Sequence, residues 1–190
     1  ERDATLTAQQ HRAVTTINRS GEHLLALLND ILDMAKVEAG RLPFTPETCK
    51  ITQLVEEVVT LFQVRAASKQ LRVGMECDPA MIAWIRTDVG KVRQILINLL
   101  GNAVKFTDHG HLCVRVAVVA DAASQLRLRV AVQDTGIGIR PAKLARIFRP
   151  FEQAENGIDA QAGTGLGLAL CEQYAHLMHG TLSVESTVGQ

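Results

Sequence analysis

Asn98-Leu99-Leu100-Gly101-Asn102-Ala103-Val104-Lys105-Phe106 is the stretch on which the reading of this chain turns. Asn98, Asn102 and Lys105 stand at i, i+4 and i+7, so on a helix they share one face, while Ile95, Leu96, Leu99 and Leu100 supply the apolar faces. An amide oxygen can coordinate magnesium, and a lysine ammonium can meet a phosphate as a point charge. Exposed Asn and Lys on a solvated helix would show the same stripe, so the segment needs support from elsewhere in the chain.

That support comes from two glycine-containing stretches downstream. Asp134-Thr135-Gly136-Ile137-Gly138-Ile139 follows an apolar, alternating run. Glycines two apart allow tight turns and close approach of a flat ring, and an ionised Asp can accept hydrogen bonds from an exocyclic amine such as that of adenine. A simple turn after a strand would look alike. Gly163-Thr164-Gly165-Leu166-Gly167-Leu168 leads directly into an apolar helix. Backbone N–H groups exposed there, with a helix N-terminus behind them, can hold phosphate oxygens. The glycine pattern lacks the strand and βαβ context of a dinucleotide fold.

Working outward, Val89 to Phe106 has helical spacing, as do Leu54, Val55, Val58, Val59 and Phe62. Leu71, Val73 and Met75 alternate like a strand that stops at the Asp78-Pro79 turn. Leu112 to Val118 and Leu126 to Val132 alternate apolar residues with Arg115, Arg127 and Arg129, which predicts two neighbouring strands with one wet face. A last helix is expected from Gly167 to Met178. The resulting fold class is α+β, a sandwich with helices covering one sheet face. Ahead of it, Thr5 to Gly40 places Val14, Ile17, Gly21, Leu24, Leu28, Ile31 and Ala35 on a three-and-four alternation, a heptad seam on a long helix. Leu25, Leu27 and Leu32 widen the stripe beyond what one coiled-coil partner covers. Pro43 and Pro46 break regular structure, so Arg41 to Thr48 reads as a linker and helix entry, with the boundary between residues 1–42 and 43–190.

Composition narrows the partners. The 190 residues are 47% apolar, enough for a core, and 20 basic residues balance 20 acidic ones, so the whole chain has no basic field of the kind that gathers nucleic acid or acidic membranes. Cys49, Cys77, Cys113 and Cys171 form no CxxC pair and sit mostly among apolar neighbours, which fits reduced thiols used as small hydrophobes in a cytoplasmic setting. No apolar run approaches a membrane span, so membrane contact is not expected of this chain; a parent protein anchored in the inner membrane would carry its anchor elsewhere.

Taken in order, Asn98 to Thr107, Asp134 to Ile139, Phe148 to Phe151 and Gly163 to Leu168 resemble the N, G1, F and G2 boxes of sensor histidine kinases of two-component systems. Arg19 to Leu42, RSGEHLLALLNDILDMAKVEAGRL, is similar to the second helix of their dimerisation hairpin and its exit. The resemblance implies a Bergerat-type α/β sandwich that binds ATP and Mg²⁺ and transfers the γ-phosphate to histidine. It implies magnesium ligation by Asn102, adenine recognition by Asp134, and a nucleotide site formed by Asn98, Asn102, Lys105, Asp134, Gly136, Gly138, Ile139, Phe151, Gly163, Thr164, Gly165, Leu166, Gly167 and Leu168, with Lys105 as the catalytic cation. The implied partners are a second copy through the first helix, the phosphoacceptor histidine helix of the parent kinase, and a response-regulator receiver domain.

Three departures qualify the resemblance. No histidine here is followed by the acidic and proline-containing pattern of the family's H box, His11 and His23 lying on what resembles the second hairpin helix, so self-phosphorylation at the usual histidine is not expected. Val188-Gly189-Gln190 stands where the family continues into a further turn and strand, so the final strand is expected to be missing. The lid, Glu152 to Ala162, lacks the basic residue and aromatic common in relatives, leaving Lys105, and secondarily Arg149, as the cations for the phosphates. Gyrase-like, chaperone and mismatch-repair ATPases share the fold, but they generally carry Glu at the position of Asn98. An amide cannot deprotonate water, whereas a neutral imidazole already holds the lone pair it needs, which favours a histidine acceptor. The atypical lid motivates a second reading, a pseudokinase or nucleotide-sensing docking module.

Overall fold

The computed structural model describes residues 7–78, 84–120, 126–152 and 164–189. Helix α1, Ala8–Glu38, starts at a capping box in which Thr7 and Gln10 each accept the other's backbone N–H, and it ends where Gly40 and Arg41 bond back to Val37 and Lys36. The apolar stripe is largely uncovered: Val14, Ile17, Leu24, Leu28 and Ile31 are exposed, and so are Leu25 and Leu32.

Beyond the linker, strand β1, Glu47–Lys50, pairs antiparallel with β3, Trp84–Thr87, as a separate two-stranded sheet. Sequence periodicity predicts a linker and helix entry at Glu47 and Thr48, and the structure corrects that. The strand is too short to show a period of two, and it exists because of a partner almost forty positions away. Helix α2, Ile51–Ala67, follows without a break. Strand β2, Arg72–Cys77, ends just before Asp78, where the sequence places the turn, and pairs parallel with β4, His111–Ala120, which pairs antiparallel with β5, Leu126–Asp134. Helix α3, Val89–Phe106, makes the crossover that a parallel pair requires. A short helix α4, Pro141–Leu144, and helix α5, Gly167–Leu177, complete the described elements.

The core lies between the β2-β4-β5 sheet and the α2–α3 layer. Leu54, Val55, Val58 and Phe62 of α2 and Leu96 and Leu100 of α3 meet Leu112, Val114 and Val116 of β4, all buried. Each such side chain contributes about 1.5–3 kcal/mol on leaving water. The opposite face is wet, as the alternation predicts: Arg115 bonds Glu76 at 2.6 Å and Gln133 at 2.7 Å across three strands. The pattern loosens at the hairpin end, where Val118 and Leu126 pass beyond the helices into solvent.

A second, smaller cluster of Leu166, Leu170 and Tyr174 takes in Met34, Leu42, Ile95 and Met178. It therefore docks the C-terminal end of α1 onto α5. Tyr174 donates its hydroxyl to Asp33 at 2.7 Å, and Lys91 stands 5.9 Å from the centre of the Tyr174 ring.

Candidate nucleotide site

Helix α3 carries the polar stripe, and its two ends are anchored by side chains rather than by α3 itself. At the N-terminus Asp88 caps the helix: Oδ1 accepts the Lys91 N–H at 3.1 Å, while Oδ2 accepts the Thr45 N–H at 3.0 Å and the Lys91 ammonium at 2.9 Å. Burial alone would raise the Asp88 pKa, but these donors more than offset it and hold the carboxyl below the usual range. At the C-terminus Lys69 Nζ donates to the carbonyls of Val104 at 2.9 Å and Lys105 at 3.2 Å, two of the acceptors a helix end leaves unmatched. Neither Asp88 nor Lys69 stands out in the sequence, because each acts on a partner set by the tertiary fold.

Along the stripe, Asn98 turns its amide N–H toward the G2 segment, donating to the Gly167 carbonyl at 3.3 Å and to Cys171 Sγ at 3.5 Å. Burial pushes the Cys171 thiol up to about 11, so it is a packing residue, as the spacing of the cysteines predicts. Asn102, one turn on, is half-buried. Lys105 in the last turn is half-buried, with its ammonium 4.7 Å from the centre of the Phe106 ring.

The segment Asp134–Ile139 folds back onto the end of α3. Asp134 Oδ1 accepts the Gly136 N–H at 2.9 Å, which engages one carboxylate oxygen and leaves the second for another donor, and Ile137 N–H bonds the Phe106 carbonyl at 3.3 Å. Gly138 and Ile139 then meet the C-terminal segment. Thr187 lies against Gly138, Ser186 Oγ accepts the Ile139 N–H at 2.8 Å, and Gly189 N–H bonds the Ile137 carbonyl at 3.2 Å. The sequence reading did not anticipate this brace.

Phe151 and the G2 segment close the other side. Phe151 N–H bonds the Gly165 carbonyl at 2.9 Å, and the exposed Phe151 ring sits on a backbone with φ of 64°. Gly165 has φ of 71°, and a Cβ there would stand 2.8 Å from the Phe151 carbonyl carbon, so the position admits only glycine without distortion. Thr164 Oγ1 accepts the Leu166 N–H at 2.9 Å and donates to Asp30 of α1 at 3.4 Å. Leu166 is buried, and Gly167 and Leu168 open α5 half-buried. Gly163 and the lid residues after Glu152 lie outside the described residues. Within the described set, α3 thus joins the G2 segment through Asn98 and the G1 segment through Phe106. Arg149 is exposed, with its N–H bonded to the Arg146 carbonyl at 2.9 Å.

Residues 87–190 match the family described as histidine kinase-, DNA gyrase B-, and HSP90-like ATPase. The chain belongs to that family. It is 39% identical over 189 residues to hybrid signal transduction histidine kinase L of Dictyostelium discoideum, a match covering 98% of this chain and 11% of that protein. It is 42% identical over 176 residues to the non-motile and phage-resistance protein of Caulobacter vibrioides, covering 92% of this chain and 20% of the relative. Among solved structures, full-length ShkA in complex with AMPPNP superposes with a TM-score of 0.82 at 34% identity, over 99% of this chain and 38% of that one. The chain thus spans a fraction of its relatives' length, and its fold is the Bergerat-type sandwich of an ATP-binding histidine-kinase catalytic domain. No helix among the described residues is long and apolar enough to cross a membrane.

Proposed function

We propose that the chain supplies the ATP-binding, phosphoryl-donating unit of a sensor histidine kinase in the cytoplasm, acting on a histidine outside this chain. The observation that carries the proposal is that the C-terminal half of α3 holds both glycine segments, the G2 segment at Asn98 in mid-helix and the G1 segment at Phe106 at its end, through the Asn98–Gly167 and Ile137–Phe106 hydrogen bonds. ShkA, similar over nearly the whole chain, was solved with AMPPNP, which supports ATP as the ligand. Asp134 would receive the adenine amine, and Lys105 would meet the phosphates once drawn from the Phe106 ring. The N–H groups of Gly163 to Leu168 would lie along the triphosphate at the start of α5.

The donor set fits magnesium. Among the described residues no cluster of three His, Cys, Asp or Glu side chains could hold a metal ion. Mg²⁺ commonly takes one or two protein oxygens and completes its shell with phosphate and water, and the neutral Asn102 carbonyl suits that division. Bound there, the ion would neutralise phosphate charge. Asn98 spends its N–H groups on Gly167 and Cys171 and has no basic lone pair for water activation. An incoming neutral imidazole would form the P–N bond as the bond to ADP breaks, needing alignment more than a base.

Residues 1–42 would then be one helix of a dimerisation hairpin and residues 43–190 the catalytic domain. The exposed α1 seam would pair with a second copy. Hybrid kinases among the relatives support a receiver domain as the downstream partner. The test is to supply the hairpin helix bearing the acceptor histidine on a second protein and follow γ-labelled ATP. Acid-labile, base-stable label on that histidine is expected. Absence of transfer despite proven nucleotide binding would reassign the chain as a docking or sensing module.

A further inference from the structure

Thr107, the residue just after α3, is wholly buried, yet its hydroxyl has no hydrogen-bond partner among the described residues. Buried hydroxyls are nearly always matched, because an unmatched one forfeits its hydration with nothing in return. The usual local solution, back-bonding to the carbonyl four residues earlier as Thr15, Thr16 and Thr60 do, is not made by Thr107, although the Ala103 carbonyl accepts its N–H at 3.1 Å. The Thr107 carbonyl is held by Lys69 at 3.4 Å, so the residue is fixed at both its N–H and its C=O while its hydroxyl points elsewhere.

Where it points is given by Gly136. A Cβ on that glycine would stand 2.6 Å from the Phe106 carbonyl oxygen, 2.7 Å from Asp134 Oδ1 and 3.0 Å from Thr107 Oγ1. Three oxygens therefore surround one α-carbon, and Thr107 Oγ1 and Asp134 Oδ1 are no farther apart than about two hydrogen-bond lengths. Of the three, the Thr107 hydroxyl alone brings a proton, because the other two are acceptors.

We propose that Thr107 is a positioning residue of the base pocket: its hydroxyl, across one bridging water, is the second donor after Gly136 N–H that fixes the Asp134 carboxylate for the amine of adenine. This rests on the reading of Asp134 as the adenine acceptor. A carboxylate held by Gly136 alone can still rotate about that bond, whereas two donors from different elements set its plane. The hydroxyl thereby sharpens base selection without touching the base. Isolated substitution of Thr107 should accordingly change the preference among bases rather than the grip on the triphosphate.

The experiment titrates the chain with ATP and with purine riboside triphosphate, which lacks the amine, for the unaltered protein and for Thr107→Val, Thr107→Ser, Thr107→Ala and Asp134→Ala. Val keeps the shape and removes the hydroxyl. The expected result is an ATP affinity about tenfold weaker in Thr107→Val and Thr107→Ala, an unchanged affinity for the amine-free analogue, and recovery in Thr107→Ser. The melting temperature of Thr107→Val should not fall, since the hydroxyl has no partner among the described residues to lose. Equal weakening toward both nucleotides, or no weakening, overturns the proposal. If Thr107→Val is silent while Asp134→Ala abolishes the preference for ATP, the positioning role fails and the Asp134 reading stands. If the unaltered chain already binds both nucleotides equally, the Asp134 reading fails and this proposal with it.

Discussion

Replacing Asp88 with Ala should be among the most damaging single changes outside the nucleotide site, and its cost can be worked from the ion pair. The side chains of Lys91 and Asp88 are 14% and 8% exposed and 2.9 Å apart, so water can screen the pair little. Removing the carboxylate deletes the α3 cap, about 1 kcal/mol by itself, and leaves the Lys91 ammonium largely out of water. Breaking one side of a buried pair costs about 3–5 kcal/mol, a range that includes such a lost contact. For a chain of this size 1 kcal/mol corresponds to about 2–4 °C, so Asp88→Ala should melt roughly 12 °C lower by far-ultraviolet circular dichroism. Asp88→Ala/Lys91→Met should recover at least about 1 kcal/mol of that loss, because the stranded ammonium is gone. The pH dependence has a definite sign. Asp88 titrates below its ordinary 3.8, so its contribution is present above that value and is lost as pH falls through the lower folded value. The variant should therefore lose part of the acid-induced destabilisation of the unaltered protein. A stability loss under about 1 kcal/mol in urea, or a double variant as unstable as Asp88→Ala, would refute this account of how α3 is held.

Other substitutions probe the remaining parts. Gly165→Ala forces a side chain into positive φ, about 1–2 kcal/mol, and displaces Phe151 as well, so urea denaturation should show at least that loss and titration a weaker hold on ATP. Asn102→Ala should reduce the magnesium-dependent part of ATP affinity with little change in melting temperature; an equal fall in stability with unchanged affinity would make Asn102 structural. Tyr174→Phe removes the bond to Asp33, whose side chain is 32% exposed and can rehydrate, so the loss should be about 1 kcal/mol or less, with hydrogen exchange rising at the C-terminal turns of α1. Leu24→Glu with Leu28→Glu should give a monomer by sedimentation with unchanged nucleotide affinity, whereas an unaltered chain that is already monomeric at high concentration would rule out association through the seam.

What could be seen in the sequence was what depends on neighbours along the chain. Helix α3 was legible from Ile95, Leu96, Leu99 and Leu100 and the Asn98-Asn102-Lys105 spacing, and the β4–β5 pair was legible from Val and Arg alternation. Gly165 was legible as part of a glycine pattern, though not for its clash with Phe151. Strands β1 and β3 were not, because four residues carry no period and their pairing is non-local. Lys69, Asp88, Thr107 and Ser186 were missed for the same reason: a lysine after one helix gives no hint that it will cap another 35 positions later. The contacts of Asp30 and Asp33 with Thr164 and Tyr174 likewise join residues more than 130 positions apart. Burial raises the Asp30 pKa there, whereas Lys36 and Tyr174 outweigh burial and lower that of Asp33. Sequence spacing predicts which atoms a helix face offers, and only the packed structure tells which of them are already engaged.

The central claim, that the groups along the C-terminal half of α3 form an adenine-nucleotide site, is tested most directly by calorimetric titration of the chain with ATP and GTP, with and without magnesium. Saturable binding of ATP, strengthened by magnesium and much weaker for GTP, is the predicted result. No heat of binding with ATP and magnesium, or equal affinity for the two nucleotides, would contradict it.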